Sequence, residues 1–296
     1  MTQPIQLASG RLTAAQAARY ADEGFLHPIP VIPADEAAAM RAELEALERD
    51  WLDAGLPRPL NQYKRVNAHT VMPLAARMAM DMRVLDVVEG VLGPDILIWS
   101  AEFFIKEPNT RAIVTMHQDL TYWGLGATQD QLTAWIALSP ATRASGGMDM
   151  VKGSHKNAIM PHKDTFDDDN LLSRGQEIAV EVADEDKTPV ELMPGQMSLH
   201  HGLMFHGSGP NTTDDRRIAL AVRYITPKVK QEVAERDYAM LARGADRDRN
   251  FIHMAPPQRP FEAQALKLYD EILVDQSAAL AQGAKEGVSM YANLKA

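Results

Sequence analysis

Between residues 95 and 226 the chain never sustains one apolar pattern for long, and this most narrows what it can become. The apolar segments there are short: 95–107 (DILIWSAEFFIKE), 112–116, 131–138 (QLTAWIAL), 176–183 (QEIAVEVA), 188–193, 195–200 (GQMSLH) and 216–226 (RRIALAVRYIT). They are rich in Ile, Val, Phe and Trp, and glycine, proline or aspartate separates them. EIAVEV alternates polar and apolar with a period of two, the signature of a half-buried strand. Seven or eight such strands in roughly 130 residues predict an antiparallel sandwich or jelly roll.

Helical periodicity brackets this region. Residues 13–24 read as a helix with Thr13 as N-cap and Gly24 as stop. Residues 34–54 carry Met40, Leu44, Leu47 and Trp51 at helical spacing, and Gly55 and Pro57 end the run. A third pattern covers 72–92, and a last one covers 262–286. No linker-like stretch divides the chain. The expected architecture is therefore mainly β with flanking helices: one unit over 1–296, made of a helical region (1–94), a jelly-roll core (95–226) and a helical or lid region (227–296). The weakly periodic stretch 152–175 reads as an active-site loop.

Charge and cysteine content exclude several functions. A net charge of −10 repels phosphate backbones, so nucleic acid is not an expected partner. The absence of cysteine removes disulfides, thiolate metal sites and cysteine nucleophiles. It suits a reducing cytoplasm, the expected location, as does an N-terminal stretch without signal-peptide character. No apolar run approaches the length of a membrane span. Asp167-Asp168-Asp169 reads as solvated loop.

The chemistry starts at MHQDLTYWG, residues 116–124. On a strand, His117 and Asp119 would point to one face and offer an imidazole and a carboxylate to one point. A third ligand should come from another strand. Of nine histidines, most read as structural. His206 differs, because it stands before a turn forced by Gly207, Gly209 and Pro210 and ahead of a strand that begins at Arg217. Two histidines and one carboxylate make the facial triad of non-heme Fe(II) oxygenases, leaving three coordination positions open. The arginine suits the far carboxylate of a 2-oxoglutarate co-substrate, which needs a planar, permanently charged fork. Alternation allows only one of Arg216 and Arg217 to enter the barrel, and Arg217 is the residue expected there.

In these segments the chain resembles the phytanoyl-CoA dioxygenase family of Fe(II)/2-oxoglutarate oxygenases. HQDLTY is similar to the family's proximal motif, and HGSGPN followed by an arginine is similar to its distal motif. LTAWIAL, MDMVKGSHK (148–156) and the N-terminal YADEGFL add to the likeness, which runs over roughly 18–226. The resemblance implies a double-stranded β-helix core with His117, Asp119 and His206 as iron ligands. It implies Ser208 and Arg217 at the C5 carboxylate of 2-oxoglutarate, with Trp135 against the co-substrate. The expected activity is hydroxylation of an unactivated C–H bond of a small molecule by O2, with succinate and CO2 as co-products. Two departures border the pocket: Arg143-Ala144-Ser145-Gly146-Gly147 stands where the family often has Glu-Asn-Gly, and Lys152 stands where it has proline.

Tyr122 and Trp123 are candidate substrate contacts, either as a cation–π grip on a quaternary ammonium group or as an apolar wall. Asn211 is a further candidate, although a turn-stabilising role competes with it. Gln118 should point away from the ligands. Lys64, Arg65 and His69 read as solvated surface that could meet an anion. Three alternatives stand beside the oxygenase: a cupin-like metal binder without turnover, a zinc hydrolase, and a halogenase, which the presence of Asp119 disfavours. Whether the chain forms a homo-oligomer is left open.

Overall fold

The computed structural model describes residues 3–121, 123–164, 170–171, 176–179 and 181–281. In chain order its elements are α1 (Ala14–Glu23), β1 (Phe25–Pro30), α2 (Ala34–Trp51), α3 (Leu60–Arg65), α4 (Pro73–Ala79), α5 (Met82–Leu92), β2 (Ile96–Lys106), β3 (Val114–His117) and β4 (Gln131–Ala137). Then follow β5 (Met148–Val151), β6 (His162–Asp164), β7 (Gln176–Ile178), β8 (Lys187–Val190), β9 (Gln196–His201), β10 (His206–Ser208), β11 (Arg217–Ile225), β12 (Tyr238–Arg243), β13 (Ile252–His253) and α6 (Ala263–Ala281).

Two sheets make the core. The larger has the order β1-β9-β4-β11-β2-β12-β13 and the smaller β3-β10-β5-β8, while β6 and β7 pair separately. Alternation along the strands sorts the side chains of the larger sheet. Ile218, Leu220, Val222 and Tyr224 of β11 join Ile98, Ala101 and Phe103 of β2 under the helices, in a core that also takes in Val84, Val88 and Tyr269. Ala219, Ala221, Phe104 and Trp135 face the other way, toward Met148, Met150 and Val190 of the smaller sheet. The jelly roll expected from the strand pattern, the double-stranded β-helix that the family resemblance implies, is thus present, and its inner face is available for chemistry.

Local signals explain most boundaries. Thr13 and Gln16 form a capping box on α1, and Gly24 closes it at a positive φ of 85°. The helix expected over 72–92 is two helices, because Asp81 caps α5 by accepting from the Arg83 backbone N–H at 2.9 Å. The first ninety residues are mostly helical, as expected, but they also hold a strand. Phe25–Pro30 forms β1, paired with β9 at the sheet edge, where Pro28 and Pro30 remove no interior ladder bond. The region after 226 is not purely helical either, since β12 extends the larger sheet beside β2. The strand expected over 176–183 is described only as Gln176–Ile178.

Parts of the loop expected at 152–175 hold a one-turn 3-10 helix (Ser154–Lys156) and β6. Residues 165–169 and 172–175, with the aspartate run, lie outside the described residues.

Candidate active site

His117 ends β3 and His206 opens β10, and the two are direct partners in the antiparallel register. Asp119 is not on the strand. It begins a 3-10 turn (Asp119–Thr121), which lets its carboxylate fold back toward His117 instead of merely sharing a strand face with it. His117 Nε2 lies 3.2 Å from Asp119 Oδ1, and His206 Nε2 lies 3.9 Å from the same oxygen. One ligand atom from each residue can be chosen so that all lie within 4.8 Å of one another, and all three side chains are buried.

The backbone sets the histidine tautomers. His117 Nδ1 is 2.9 Å from the Thr115 carbonyl oxygen, and His206 Nδ1 is 3.0 Å from that of Met204. A carbonyl accepts only from N–H, so each Nε2 presents a lone pair inward. Burial, reinforced by His117, pushes His206 well below its ordinary value and keeps it neutral. Burial opposes charge on Asp119, but His117, His200, His206 and Arg223 hold its carboxyl well below the usual carboxylate range. Two imidazole lone pairs and a carboxylate this close repel one another unless a cation lies among them. The donor set therefore fits a divalent ion of the ferrous class, with hard oxygen and borderline nitrogen ligands.

A second group of residues stands beside this centre. Arg217 opens β11 directly opposite Lys106 of β2, and both are 1% exposed. Lys106 Nζ donates to Ser208 Oγ at 2.7 Å and to the carbonyls of Ser208 and Gly209. The Arg217 guanidinium carbon sits 5.1 Å from the Trp135 ring centroid, while its Nε and Nη2 are buried with no hydrogen-bond partner. Burial and Arg65 lower Arg217 to about 9. Burial, Arg217 and Arg65 lower Lys106 to about 6. Among the described residues no carboxylate pairs with either group, and two buried basic groups left so call for an external anion. The pocket therefore fits the distal carboxylate of 2-oxoglutarate. Arg216 faces outward and pairs with Glu48 and Glu107.

The other expected contacts fare unevenly. Tyr122 lies outside the described residues. Trp123 already carries a cation: the Arg223 guanidinium carbon is 4.8 Å from its ring centroid, and Trp99 packs 5.2 Å away. Asn211, named above as a substrate candidate, is fully buried and spends its amide on the carbonyls of Lys106, Glu107 and Asp215. It serves the turn. Gln118 bonds to the backbone at Ala158, Met160 and Leu203, tying the loop behind the ligands. The residues read as solvated surface are not so. Lys64 pairs with Glu48, Arg65 lays its guanidinium over Phe104, and His69 is fully buried.

Sequence reasoning missed Lys106 and His200. His200 of β9 is 1% exposed, its Nε2 is 3.9 Å from Asp119 Oδ2, and its ring is 4.8 Å from that of His206. Lys106 carried one local signal: in AEFFIK it shares strand parity with Glu102, which puts two charged residues on one face of an otherwise apolar strand.

The wall that carries Trp123 is held from behind. Gln231 Nε2 donates to the Trp123 carbonyl at 3.1 Å, and the Glu232 N–H donates to that of Gly124. Gln231 also donates to Asp237, a buried carboxylate that accepts from Trp99 Nε1 at 2.8 Å and from Gln276 of α6 at 3.0 Å.

The sequence model of the phytanoyl-CoA dioxygenase (PhyH) family matches residues 20–219. The chain belongs to the phytanoyl-CoA dioxygenase family. Curated relatives within reach include a probable phytanoyl-CoA dioxygenase of Caenorhabditis elegans, 28% identical over 147 residues, covering 48% of the chain and 47% of that protein. The chain thus spans about half the length of the worm protein. A probable alpha-ketoglutarate-dependent hypophosphite dioxygenase of Stutzerimonas stutzeri is 26% identical, covering 71% of the chain and 78% of that protein. Among solved structures, the non-heme monooxygenase ThoJ in its apo form is 33% identical with a TM-score of 0.80, covering 90% of the chain and 97% of ThoJ. CytC3 with Fe(II) and alpha-ketoglutarate shares the fold, at 18% identity and a TM-score of 0.63 over 85% of the chain and 96% of CytC3. His117, Asp119, His206 and Arg217 all fall inside the stretch that matches the phytanoyl-CoA dioxygenase family. No helix among the described residues is long and apolar enough to cross a membrane.

Proposed function

We propose that the chain is an Fe(II)- and 2-oxoglutarate-dependent dioxygenase that hydroxylates an unactivated C–H bond of a small molecule, with succinate and CO2 as co-products. One observation carries this reading: a buried arginine with two unpaired N–H-bearing nitrogens shares the barrel with a His-Asp-His cluster. A protein that only bound metal would have no use for that arginine, whose burial costs several kcal/mol when unpaired. A zinc hydrolase would need a general base beside the metal, and the nearby carboxylate of Glu102 is taken by Arg223 at 2.8 Å. Asp119 occupies the position that a halogenase would leave to halide.

In this proposal His117, Asp119 and His206 hold the iron, and Arg217, Lys106 and Ser208 hold the tail of 2-oxoglutarate, with Trp135 alongside. Bound there, the iron and the keto acid together supply the power to activate O2. The chain's own residues fix positions and keep water out. The carbonyls of Thr115 and Met204 lock both imidazoles, so the ligand set is preorganised. Ala219 and Ala221, paired with Phe104 and Glu102, are the small residues on the inner face between Arg217 and Arg223. They leave room over the sheet for a slender co-substrate. Trp123 is then part of the substrate wall. The cysteine-free chain suits the reducing cytoplasm, where we place it. The test is succinate formation across a panel of small molecules with Fe(II) and 2-oxoglutarate, in the parent chain and in Asp119→Ala and Arg217→Ala. Turnover that survives Asp119→Ala would overturn the metal assignment.

A further inference from the structure

Asp119 has two carboxylate oxygens, and the His-Asp-His cluster draws on one of them. Oδ1 faces the Nε2 atoms of both His117 and His206, at 3.2 and 3.9 Å. Oδ2 has a different neighbour: Nε2 of His200 lies 3.9 Å from it. Arg223 also favours the Asp119 charge, but its guanidinium is held by Glu102 at 2.8 Å. His200 is not in the set whose ligand atoms converge.

The sheet fixes where His200 stands. It pairs with Phe25 of β1 on one side and with Thr133 of β4 on the other. Ser198, two residues earlier, pairs with Trp135, whose ring faces the smaller sheet, and strand parity gives His200 the same face. The ring is 1% exposed, and its Nδ1 is buried with no partner. A phenyl ring would fill this slot without leaving a dry nitrogen. An imidazole here is explained by its other nitrogen. A carboxylate oxygen only accepts, so Nε2 of His200 carries the hydrogen and Nδ1 the lone pair. That is the opposite tautomer to His117 and His206, whose Nδ1–H groups face backbone carbonyls. Three neighbouring imidazoles are thus sorted into two ligands and one donor. At 3.9 Å the His200 donor stands about an ångström outside hydrogen-bond range, and a small side-chain rotation closes that gap.

We propose that His200 is a positioning residue for the metal site: its Nε2–H holds the outer oxygen of Asp119, so that the carboxylate engages a metal through Oδ1 alone. The proposal rests on the metal reading given above. A carboxylate free to turn can offer both oxygens to one ion. The second oxygen would then take one of the three positions that a facial triad leaves open. The hydrogen bond also draws charge from the carboxylate and so weakens it as an electron donor.

The test uses the full chain without oxygen, titrated with Fe(II) alone and then with 2-oxoglutarate, whose iron complex has a visible charge-transfer band. His200→Phe keeps a flat ring and loses the donor. His200→Gln puts an amide N–H where Nε2 stands, and His200→Asn puts one where Nδ1 stands. His200→Phe should weaken Fe(II) binding by about tenfold or more. It should also move the band to longer wavelength, because a stronger carboxylate donor raises the iron d levels. His200→Gln should restore most of both properties, and His200→Asn should restore neither. A ring that only packs predicts another order, with phenylalanine nearest to wild type. Two results would overturn the proposal: a His200→Phe variant with wild-type Fe(II) affinity and an unmoved band, or a His200→Gln variant no better than His200→Asn. The comparison of glutamine with asparagine decides the matter even where the phenylalanine variant fails to fold. A wild type that takes up no Fe(II) would overturn the triad and this proposal together. One that binds Fe(II) but shows no band with 2-oxoglutarate would sink the co-substrate reading, and the affinity ranking would still judge His200.

Discussion

Lys106 and Arg217 stand directly opposite each other on neighbouring strands, two buried basic groups on the same inner face, with a serine hydroxyl and backbone carbonyls around the amine and the Trp135 ring beside the guanidinium. Such an arrangement is unfavourable until an anion arrives, and this makes it measurable.

Proton uptake should accompany 2-oxoglutarate binding. Lys106, lowered to about 6, is mostly neutral above that pH, and a carboxylate beside it restores the charge. Affinity should therefore fall as the pH rises above about 6. Calorimetry in two buffers of different ionisation enthalpy should reveal the uptake, and Lys106→Met should abolish it. The lysine also affects folding. In the unfolded chain it stays protonated up to its ordinary value of 10.5, so the unfolded state binds more protons between about 6 and 10.5. Its contribution to stability should rise with pH across that window, and the methionine variant should lose the slope.

Arg217→Met should separate binding from stability. Removing the guanidinium takes away the fork for the co-substrate, and 2-oxoglutarate affinity should drop by about a hundredfold, the worth of a charge-assisted pair. Because the charge is buried and unpaired, the protein without co-substrate should melt at the same or a higher temperature. A variant that loses stability without ligand would mean the guanidinium has a partner in the fold.

Chelation should lower the melting temperature, and Fe(II) should restore it. An ion held at about a hundred times its dissociation constant adds about 2.7 kcal/mol by mass action. Asp119→Ala should remove this response, because two neutral imidazoles hold a hard cation poorly. An unchanged response would move the metal elsewhere.

Gly207→Ala probes the sheet closure. A Cβ at Gly207 would stand 2.7 Å from the Val114 carbonyl oxygen and 3.1 Å from the Met116 nitrogen. β3 must then retreat from β10, which carries His117 away from His206. Metal affinity should fall by about tenfold or more while far-UV circular dichroism stays native, in line with the geometric demands of a preorganised ligand set. Native affinity in this variant would show that the strand contact yields without disturbing the ligands.

The triad was legible because its signals are local. The short spacing of His117 and Asp119, the forced turn after His206 and the strand that starts at Arg217 all survive in a linear reading. What was hidden depends on pairing at a distance. Nothing in IKEP announces that Lys106 will face Arg217, and nothing near Arg65 announces Phe104. Asp119 was placed on a strand because parity gives the right neighbour; the turn reaches the same neighbour another way. β1 escaped because Pro28 and Pro30 argue against a strand, and only its edge position admits them. In β12, YAMLAR is built of residues that favour helix, and its place beside β2 overrides them.

The buried carboxylate of Asp237 joins parts of the chain that never touch the metal ligands to the wall that carries Trp123. Through it, Gln276 on the last helix and Gln231 on the preceding loop are coupled to Trp99 and to the Trp123 backbone. Heritable change in α6 could therefore retune which molecules the pocket admits while the iron ligands stay untouched. A lineage could diversify its substrates from the periphery inward, with the oxidising centre passed on intact.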